Sequence, residues 1–166
     1  MAKVDDYLLD VNRYGVPAVP LGLWLAMAFL ARHWLLLVVV VVSARRSKSS
    51  FLLLGGDFSF WVLLLEAPVL LVIAAAVARR PEAIAPVRFV WKQGRHLLAL
   101  TAWLNIALAA VLLWRSNYWN PWPELFLVSC AVLDLAIIYA MYSNPQMKHV
   151  FAEFPDPPPP KPGPPS

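Results

Sequence analysis

The chain has 166 residues, of which 60% are hydrophobic and 14% are charged, with 16 prolines and one cysteine. A soluble domain carries about a quarter charged residues, so this composition argues against a water-soluble enzyme core. The formal net charge is +4, but the cations stand near the ends of apolar stretches and in one short segment. They form no stripe interleaved with aromatic residues, which argues against nucleic-acid binding.

Four apolar stretches predict an all-α integral membrane protein with four transmembrane helices in one bundle, short loops and a Pro-rich C-terminal tail. Each stretch has about 19 to 22 residues, which at about 1.5 Å per residue crosses a hydrocarbon core of about 30 Å. The predicted spans are residues 21–42, 58–78, 96–114 and 124–142. The corresponding division of the chain is an N-terminal segment of residues 1–17, a transmembrane domain of residues 18–142 and a tail of residues 143–166.

The first stretch is predicted to be a permanent span rather than a cleaved signal peptide. Its apolar region is too long for a signal peptide, and Arg32 interrupts it. The segment before it contains Asp5, Asp6 and Asp10 instead of the basic residues that precede a signal sequence. We therefore expect this stretch to remain in the mature protein.

The positions of Lys and Arg predict the orientation of the bundle. Four spans place both termini on one side, and nine of the 14 Lys and Arg residues fall on that side, with four on the other and Arg32 inside a span. Positive charge accumulates on the cytoplasmic side, so we expect cytoplasmic N and C termini. The cluster of Arg45, Arg46 and Lys48 lies on the opposite side and opposes this assignment.

The segment between the second and third predicted spans is strongly basic. We expect it to be a loop that contacts anionic lipid headgroups, at about 1 kcal/mol per cation, or the acidic surface of a protein partner. The residues assigned to this contact are Arg79, Arg80, Arg88, Lys92 and Arg95.

The tail from Phe154 to Ser166 is rich in proline and is expected to be extended or disordered. Its PxxP spacing, with Lys161 following, is typical of peptides that aromatic grooves bind. A solvated tail with no partner is the alternative interpretation.

One polar residue lies near the middle of each predicted span. At about 1.5 Å per residue, all four fall within roughly 5 Å of one depth. A charge at that depth costs about 2.5 to 3.5 kcal/mol, so each needs a partner. We expect a buried polar layer in which Arg32 bridges the two carboxylates while the Asn105 amide and the Thr101 hydroxyl complete the hydrogen bonds. The layer consists of Arg32, Glu66, Asn105 and Asp134.

Three interpretations of this layer remain open. It can fix which helices meet and in what register, as one polar residue does in a coiled coil. It can couple to protons, because one cation and two carboxylates leave an excess negative charge that either a proton or a partner's cation must balance. It can also present Arg32 or Glu66 to a helix of another protein.

The remaining reactive residues indicate no cofactor and no enzymatic activity. His33 points about 100° away from Arg32 around the helix and is expected to make an interhelical hydrogen bond. Haem binding is disfavoured because His96 lies at a helix start and His149 outside the membrane. Cys130 has no second thiol for redox chemistry and is expected to pack. No nucleotide loop, zinc spacing or nucleophile motif is found.

Two motifs carry a resemblance to a known family. The first runs from Tyr7 to Gly15 and continues through two prolines into the segment from Leu23 to Trp34. The second is the segment from Val150 to Pro155. Both resemble the YfeZ-like proteobacterial inner-membrane proteins, whose domains have no known function. The resemblance implies a bacterial inner-membrane location. It also implies that Arg32, which lies in the first motif, is a feature common to the family. In the segment around Glu66 only the proline matches.

These features favour an accessory or assembly subunit of a larger membrane complex, because four short helices enclose little room for a substrate path. The alternative is a small proton-coupled transporter that acts as a dimer through the buried Arg/carboxylate layer and resembles the small multidrug resistance class in span count. The expected partners are membrane lipids and a protein of that complex, with no nucleic acid.

Overall fold

The computed structural model describes residues 16–44, 60–115 and 121–155. Within these ranges the chain forms helices and no β-strand, which confirms the predicted all-α class. In chain order the helices are α1 (Leu21–Leu30), α2 (Arg32–Ala44), α3 (Phe60–Val77), α4 (Ala85–Arg115), α5 (Pro121–Ser143) and α6 (Pro145–Ala152). Three features of the sequence lie outside the described residues: residues 1–15, which include Asp5, Asp6, Asp10 and the motif from Tyr7 to Gly15; the cluster Arg45, Arg46 and Lys48; and the tail beyond Pro155.

Two helices, α4 and α5, are each long and apolar enough to cross a membrane. The helices α1 and α2 meet the same criterion as a pair, although they are bent by 70° at the break between them. The apolar part of α3, Trp61–Val77, is a shorter helix. Length and composition therefore support a membrane protein with two or three candidate spans among the described residues.

The prediction of one continuous helix through residues 21–42 is wrong, because the helix breaks at Ala31. This residue has φ −94° and ψ 21°, so α1 ends before it and α2 begins after it. A break leaves carbonyls unpaired at the end of α1 and N–H groups unpaired at the start of α2. Arg32 Nη1 donates to the Phe29 carbonyl at 3.4 Å. The backbone N–H of His33 donates to the Glu66 carboxylate at 3.1 Å. Side chains therefore stabilise a break that hydropathy does not reveal.

The prediction of a loop over residues 79–95 is wrong beyond Ala85, where α4 begins. This helix has 31 residues, about 46 Å at 1.5 Å per residue, whereas the hydrocarbon core is about 30 Å thick. The helix is therefore longer than one crossing requires. Its first turns pack against α6 and the end of α3.

The tail predicted for residues 143–166 contains a further helix, α6. Asn144 caps it by accepting a hydrogen bond from the backbone N–H of Gln146 at 2.9 Å, and Pro145 occupies its first turn. The Asn-Pro pair is a common helix-start signal that the high proline content of the tail obscured.

The central helix of the bundle is α4, which packs against α3, α5, α6 and α1. The helix α2 packs against α3, whereas α5 packs against α4 and α6. The helices α2 and α5 therefore stand at the two ends of the packing order α2, α3, α4, α5. The largest side chains of the apolar core include Leu23, Met27, Leu30, Val69, Val72, Leu98 and Phe151.

Candidate functional site

The predicted polar residues lie at similar depths in the bundle. The Tyr142 hydroxyl of α5 forms a hydrogen bond with Nδ1 of His96 on α4, at 3.1 Å. Asp134 lies eight residues before Tyr142, about 12 Å along α5, which in these antiparallel neighbours corresponds to residue 104 of α4, beside Asn105. Gly94 of α4 lies beside Val72 of α3, because a methyl group on Gly94 would lie 3.3 Å from Val72. Glu66 precedes Val72 by six residues in α3, which runs antiparallel to α4. This places Glu66 level with residue 100 of α4, about 6 Å from the depth of Asp134.

His33 contacts Glu66 and is counted with the layer from here on. Burial separates these five residues into two groups. Glu66 and Asp134 are fully buried, and Asn105 is 1% exposed. The side chain of Arg32 is 18% exposed, and that of His33 is 27% exposed. The acidic partners therefore lie inside the bundle, while both basic partners lie partly at its surface.

An ion pair joins α2 to α5. The two terminal nitrogens of Arg32 donate to the two carboxylate oxygens of Asp134, each at 3.4 Å. The guanidinium also stacks over the Phe29 ring at 4.8 Å. Arg32 thus contacts a carboxylate, a backbone carbonyl and an aromatic face, which together compensate its charge.

A second pair joins α2 to α3. His33 Nδ1 lies 2.5 Å from one Glu66 oxygen, and the other oxygen accepts the backbone N–H of His33. One turn earlier on α3, the Leu63 carbonyl accepts a hydrogen bond from Trp34 Nε1 at 3.0 Å. Three consecutive residues at the start of α2 therefore connect it to both α3 and α5.

The prediction that Arg32 bridges both carboxylates is corrected by these contacts. Arg32 pairs with Asp134, while Glu66 pairs with His33. The cause is helical geometry, since consecutive residues diverge by about 100° and reach different neighbouring helices. The interhelical hydrogen bond expected of His33 is present, and Glu66 is its acceptor or donor depending on the proton position.

Asn105 and Thr101 do not complete the hydrogen bonds of the layer as predicted. Thr101 Oγ1 donates to the Leu97 carbonyl of its own helix at 3.0 Å, a common arrangement for threonine within a helix. The amide nitrogen and oxygen of Asn105 are buried and have no hydrogen-bond partner in the part of the chain that the structure describes.

A second polar cluster lies where the described chain ends meet the first turns of α4. We call it the terminal-side cap, formed by Pro17, Arg79, Trp91, Phe151 and Glu153. Arg79 donates to the Pro17 carbonyl at 2.8 Å and to the Glu153 carbonyl at 2.7 Å. Its guanidinium stacks over the Trp91 ring at 4.9 Å. Burial lowers the pKa of Arg79, and the nearby Glu153 carboxylate opposes this shift.

Close packing completes the terminal-side cap. Trp91 is fully buried, its Nε1 donates to the Val150 carbonyl at 3.0 Å, and its ring centre lies 4.9 Å from that of Phe151. One turn along α4, a Cβ on Gly94 would come within 2.5 Å of the Phe151 ring. Only glycine therefore allows α6 to approach α4 this closely without displacement.

The five cations assigned to lipid or partner contact are not equivalent. Arg79 is only 5% exposed, so its assignment to a headgroup contact is corrected: its two terminal nitrogens donate to backbone carbonyls. Arg88 donates to the Pro81 and Ala83 carbonyls, and Arg95 stacks over the Tyr142 ring. The side chains of Arg80 and Lys92 are exposed. A groove of about 500 Å³ is lined by Val16, Arg88, Lys92, Ala152, Glu153, Phe154 and Pro155.

The described residues contain no group of three or more His, Cys, Asp or Glu side chains arranged to hold a metal ion. Cys130 is a buried free thiol one turn before Asp134. Sequence reasoning did not identify the His33–Glu66 pair. The signal for it was the second basic residue beside Arg32, together with a second carboxylate at nearly the same depth.

Comparison with known proteins gives a family but no activity. No curated protein matches the chain, and no solved structure matches it. A family model described as "Protein of unknown function (DUF2919)" matches residues 8–153. That match includes the broken first helix, both buried pairs and the terminal-side cap. The chain therefore belongs to the DUF2919 family of proteins of unknown function.

Proposed function

We propose that this protein is an accessory or assembly subunit of a larger complex in the bacterial inner membrane. The observation that supports the proposal is the partial exposure of two basic side chains near the middle of the bundle. Arg32 is 18% exposed and His33 is 27% exposed. Hydrocarbon cannot solvate such groups, so they need to be covered by protein or to line a water-filled cavity.

Arg32 lies between two helices that stand apart in the packing order. We call this region the α2/α5 seam, formed by Arg32 of α2 and Asp134 of α5. The Arg32–Asp134 pair spans the seam, whereas the main packing of α2 is on α3 and that of α5 is on α4. A helix from another protein can lie in the seam and supply hydrogen-bond acceptors to Arg32.

The outer surface of α5 supports lateral contact with a second protein. The buried residues of this 23-residue helix are Glu124, Cys130, Asp134 and Met141. Its remaining surface is apolar and includes Phe126, which is 65% exposed. Lipid can cover this surface, but a partner that fills the seam would also lie against it.

Cross-linking at the seam tests the accessory proposal. A photoreactive amino acid at Leu36, one turn after Arg32 and 52% exposed, should cross-link in cells to one other membrane protein. The matched control is Leu100, which is 50% exposed on α4. A native pull-down in mild detergent should recover the same protein in stoichiometric amount. A monomer, or a cross-link only to a second copy, would count against the proposal.

The proposal includes four crossings with both termini in the cytoplasm. The bent α1–α2 pair would form one crossing, and α3, α4 and α5 the other three. The Lys/Arg distribution supports this orientation. A fluorescent protein fused after Ser166 should fluoresce, and alkaline phosphatase fused after Asn117 should be active. The opposite pattern would reverse the orientation.

Proton-coupled transport by a dimer is the second candidate. It is favoured by the break at Ala31, since discontinuous helices with ionisable groups at their ends are found at transporter binding sites. In this case the Leu36 cross-link should join two copies of the chain. Purified protein in vesicles loaded with a pH-sensitive dye should then release protons when candidate organic cations are added. Failure of both results would exclude this candidate.

A further inference from the structure

We infer that His33 and Glu66 form a proton-binding site at the helix break, which holds one proton shared between the two side chains. This inference goes beyond an accessory role and does not depend on it. It rests on the 2.5 Å contact between His33 Nδ1 and Glu66, on the burial of Glu66, and on the charges of the surrounding groups.

The neighbouring elements present few charges to the pair. From α1 comes the Phe29 carbonyl, which Arg32 contacts. The helix α4 contributes neutral Thr101 and Asn105 near this depth. From α5 come Asp134 and the thiol of Cys130. Asp134 lies within electrostatic reach of Arg32, Glu66 and His33.

The count of charges favours one bound proton. The positive charge of Arg32 balances the negative charge of Asp134. With a proton on the second pair, His33 and Glu66 are also neutral together, either as imidazolium and carboxylate or as imidazole and carboxylic acid. Without that proton, Glu66 carries an uncompensated charge inside the bundle, and such a charge costs several kcal/mol.

The geometry assigns the site to His33 and Glu66 rather than to Asp134. Both oxygens of Asp134 accept hydrogen bonds from the Arg32 guanidinium, which does not release a proton in proteins. Glu66 instead faces an imidazole, which exchanges protons near neutral pH. The exposed 27% of the His33 side chain gives the proton a route to fully buried Glu66.

Proton occupancy is linked to the helix break through Glu66. One carboxylate oxygen accepts the backbone N–H of His33 at the start of α2, where the helix dipole favours a negative charge. When the shared proton leaves, Glu66 carries a negative charge that no partner balances, because Arg32 is paired with Asp134. The charge compensation between His33 and Glu66 is then lost, so the start of α2 is held less firmly.

Histidine NMR tests the site directly, because the chain has three histidines. Full-length protein labelled with ¹⁵N at the histidine rings is titrated in detergent from pH 5 to pH 10. The Glu66→Gln variant can still accept the His33 N–H but carries no charge. We expect it to weaken proton binding at His33 by about tenfold or more, with no change at His96 or His149. His33→Gln assigns the His33 signal, and His96→Gln is the matched control.

Two further measurements keep the test decisive. If Glu66→Gln does not fold, Glu66→Asp withdraws the carboxylate by about one bond and should weaken proton binding to a smaller extent. Trp34 lies next to the site. The pH-dependent fluorescence change that is present in the wild-type protein and absent from Trp34→Phe should therefore occur over the same pH range as the change in the His33 NMR signal. Equal titration of His33 in the wild-type protein and the Glu66 variants would overturn the inference. If the Glu66 variants weaken proton binding at His33 but no proton flux is seen in vesicles, the proton-binding site is supported and only transport is excluded.

Discussion

Each of the two polar clusters contains a buried or partly buried arginine, and the two arginines have different partners. Arg79 in the terminal-side cap is 5% exposed and donates to two backbone carbonyls while it stacks on Trp91. Arg32 at mid-bundle pairs with the Asp134 carboxylate. Backbone carbonyls do not change charge with pH, whereas carboxylates and imidazoles do. The acceptors that hold Arg79 therefore keep the same charge at any pH, whereas the acceptor that holds Arg32 is a carboxylate that can be protonated.

The difference also separates structural from functional candidates. The cap joins residues near both ends of the described chain to the first turns of α4, and its side chains are tightly packed. The polar layer lies beside a break in a helix and leaves Arg32 and His33 partly exposed. We expect substitutions in the cap to change stability alone. Substitutions in the layer should also change proton binding or partner binding.

The largest effect is expected when one charge of the layer is removed. Asp134→Leu leaves Arg32 without its carboxylate near the middle of the bundle and should destabilise the protein by about 3 to 5 kcal/mol. The measurement is the folded, monodisperse fraction in detergent during thermal unfolding. The double variant Arg32→Leu/Asp134→Leu removes both charges and should recover most of the loss. Equal destabilisation of the single and double variants would show that the pair does not couple.

A smaller but clear loss is expected at the closest approach in the cap. Gly94→Ala places a methyl group within 2.5 Å of the Phe151 ring and should cost about 1 to 3 kcal/mol, because α6 must shift. Gly22→Ala is the matched control, since its methyl group meets nothing within 4 Å. It should leave stability unchanged or raise it by up to about 1 kcal/mol. Thermal unfolding measures the stability of both variants. Similar changes in stability for Gly94→Ala and Gly22→Ala would argue against the tight contact.

Replacing the arginine of the cap tests whether its two hydrogen bonds matter together. Lysine at position 79 cannot reproduce the planar fork that reaches Pro17 and Glu153, so Arg79→Lys should lose about 1 to 2 kcal/mol. Limited proteolysis should then cleave near α6 sooner than in the wild-type protein. Arg80→Lys, at an exposed position, should leave the cleavage rate unchanged. Proton binding at His33 should be unaffected by either substitution.

The smallest effect is expected at Asn105, although it is buried in the layer. Its amide atoms have no hydrogen-bond partner among the described residues, so Asn105→Leu should change stability by less than about 1 kcal/mol or raise it slightly. Thermal unfolding in detergent is again sufficient. A loss comparable to that of Asp134→Leu would mean that the amide holds the layer together, as the sequence-based prediction proposed.

Hydropathy predicted the helical class and the approximate position of α4 and α5, because long apolar stretches in lipid have few alternatives to helix. Depth along each span predicted that Arg32 and Asp134 lie near one another. The choice of partners was not predictable, since it depends on the rotation of each helix about its axis. That rotation sends Arg32 to Asp134 and His33 to Glu66.

The break at Ala31 and the cap were missed for a related reason. Neither proline nor glycine marks the break. A local contact between Arg32 and Phe29 stabilises it, together with the contact between His33 and Glu66, which is made only in the folded bundle. The extended start of α4 depends on Trp91 and Gly94 meeting Phe151, about 60 residues further along the chain. A single sequence records such long-range contacts only as isolated residues.

The 70° bend limits the thickness of membrane that the α1–α2 pair can match as the single crossing proposed above. The 10 residues of α1 add only about 5 Å along the axis of α2, whose 13 residues contribute about 20 Å. As one crossing, the described part of the pair would therefore reach about 25 Å, compared with a hydrocarbon core of about 30 Å. A bilayer that adapts to a shorter span thins beside it. Headgroups and water would then approach the break more closely than they approach α4, which would shorten the path of a proton to His33.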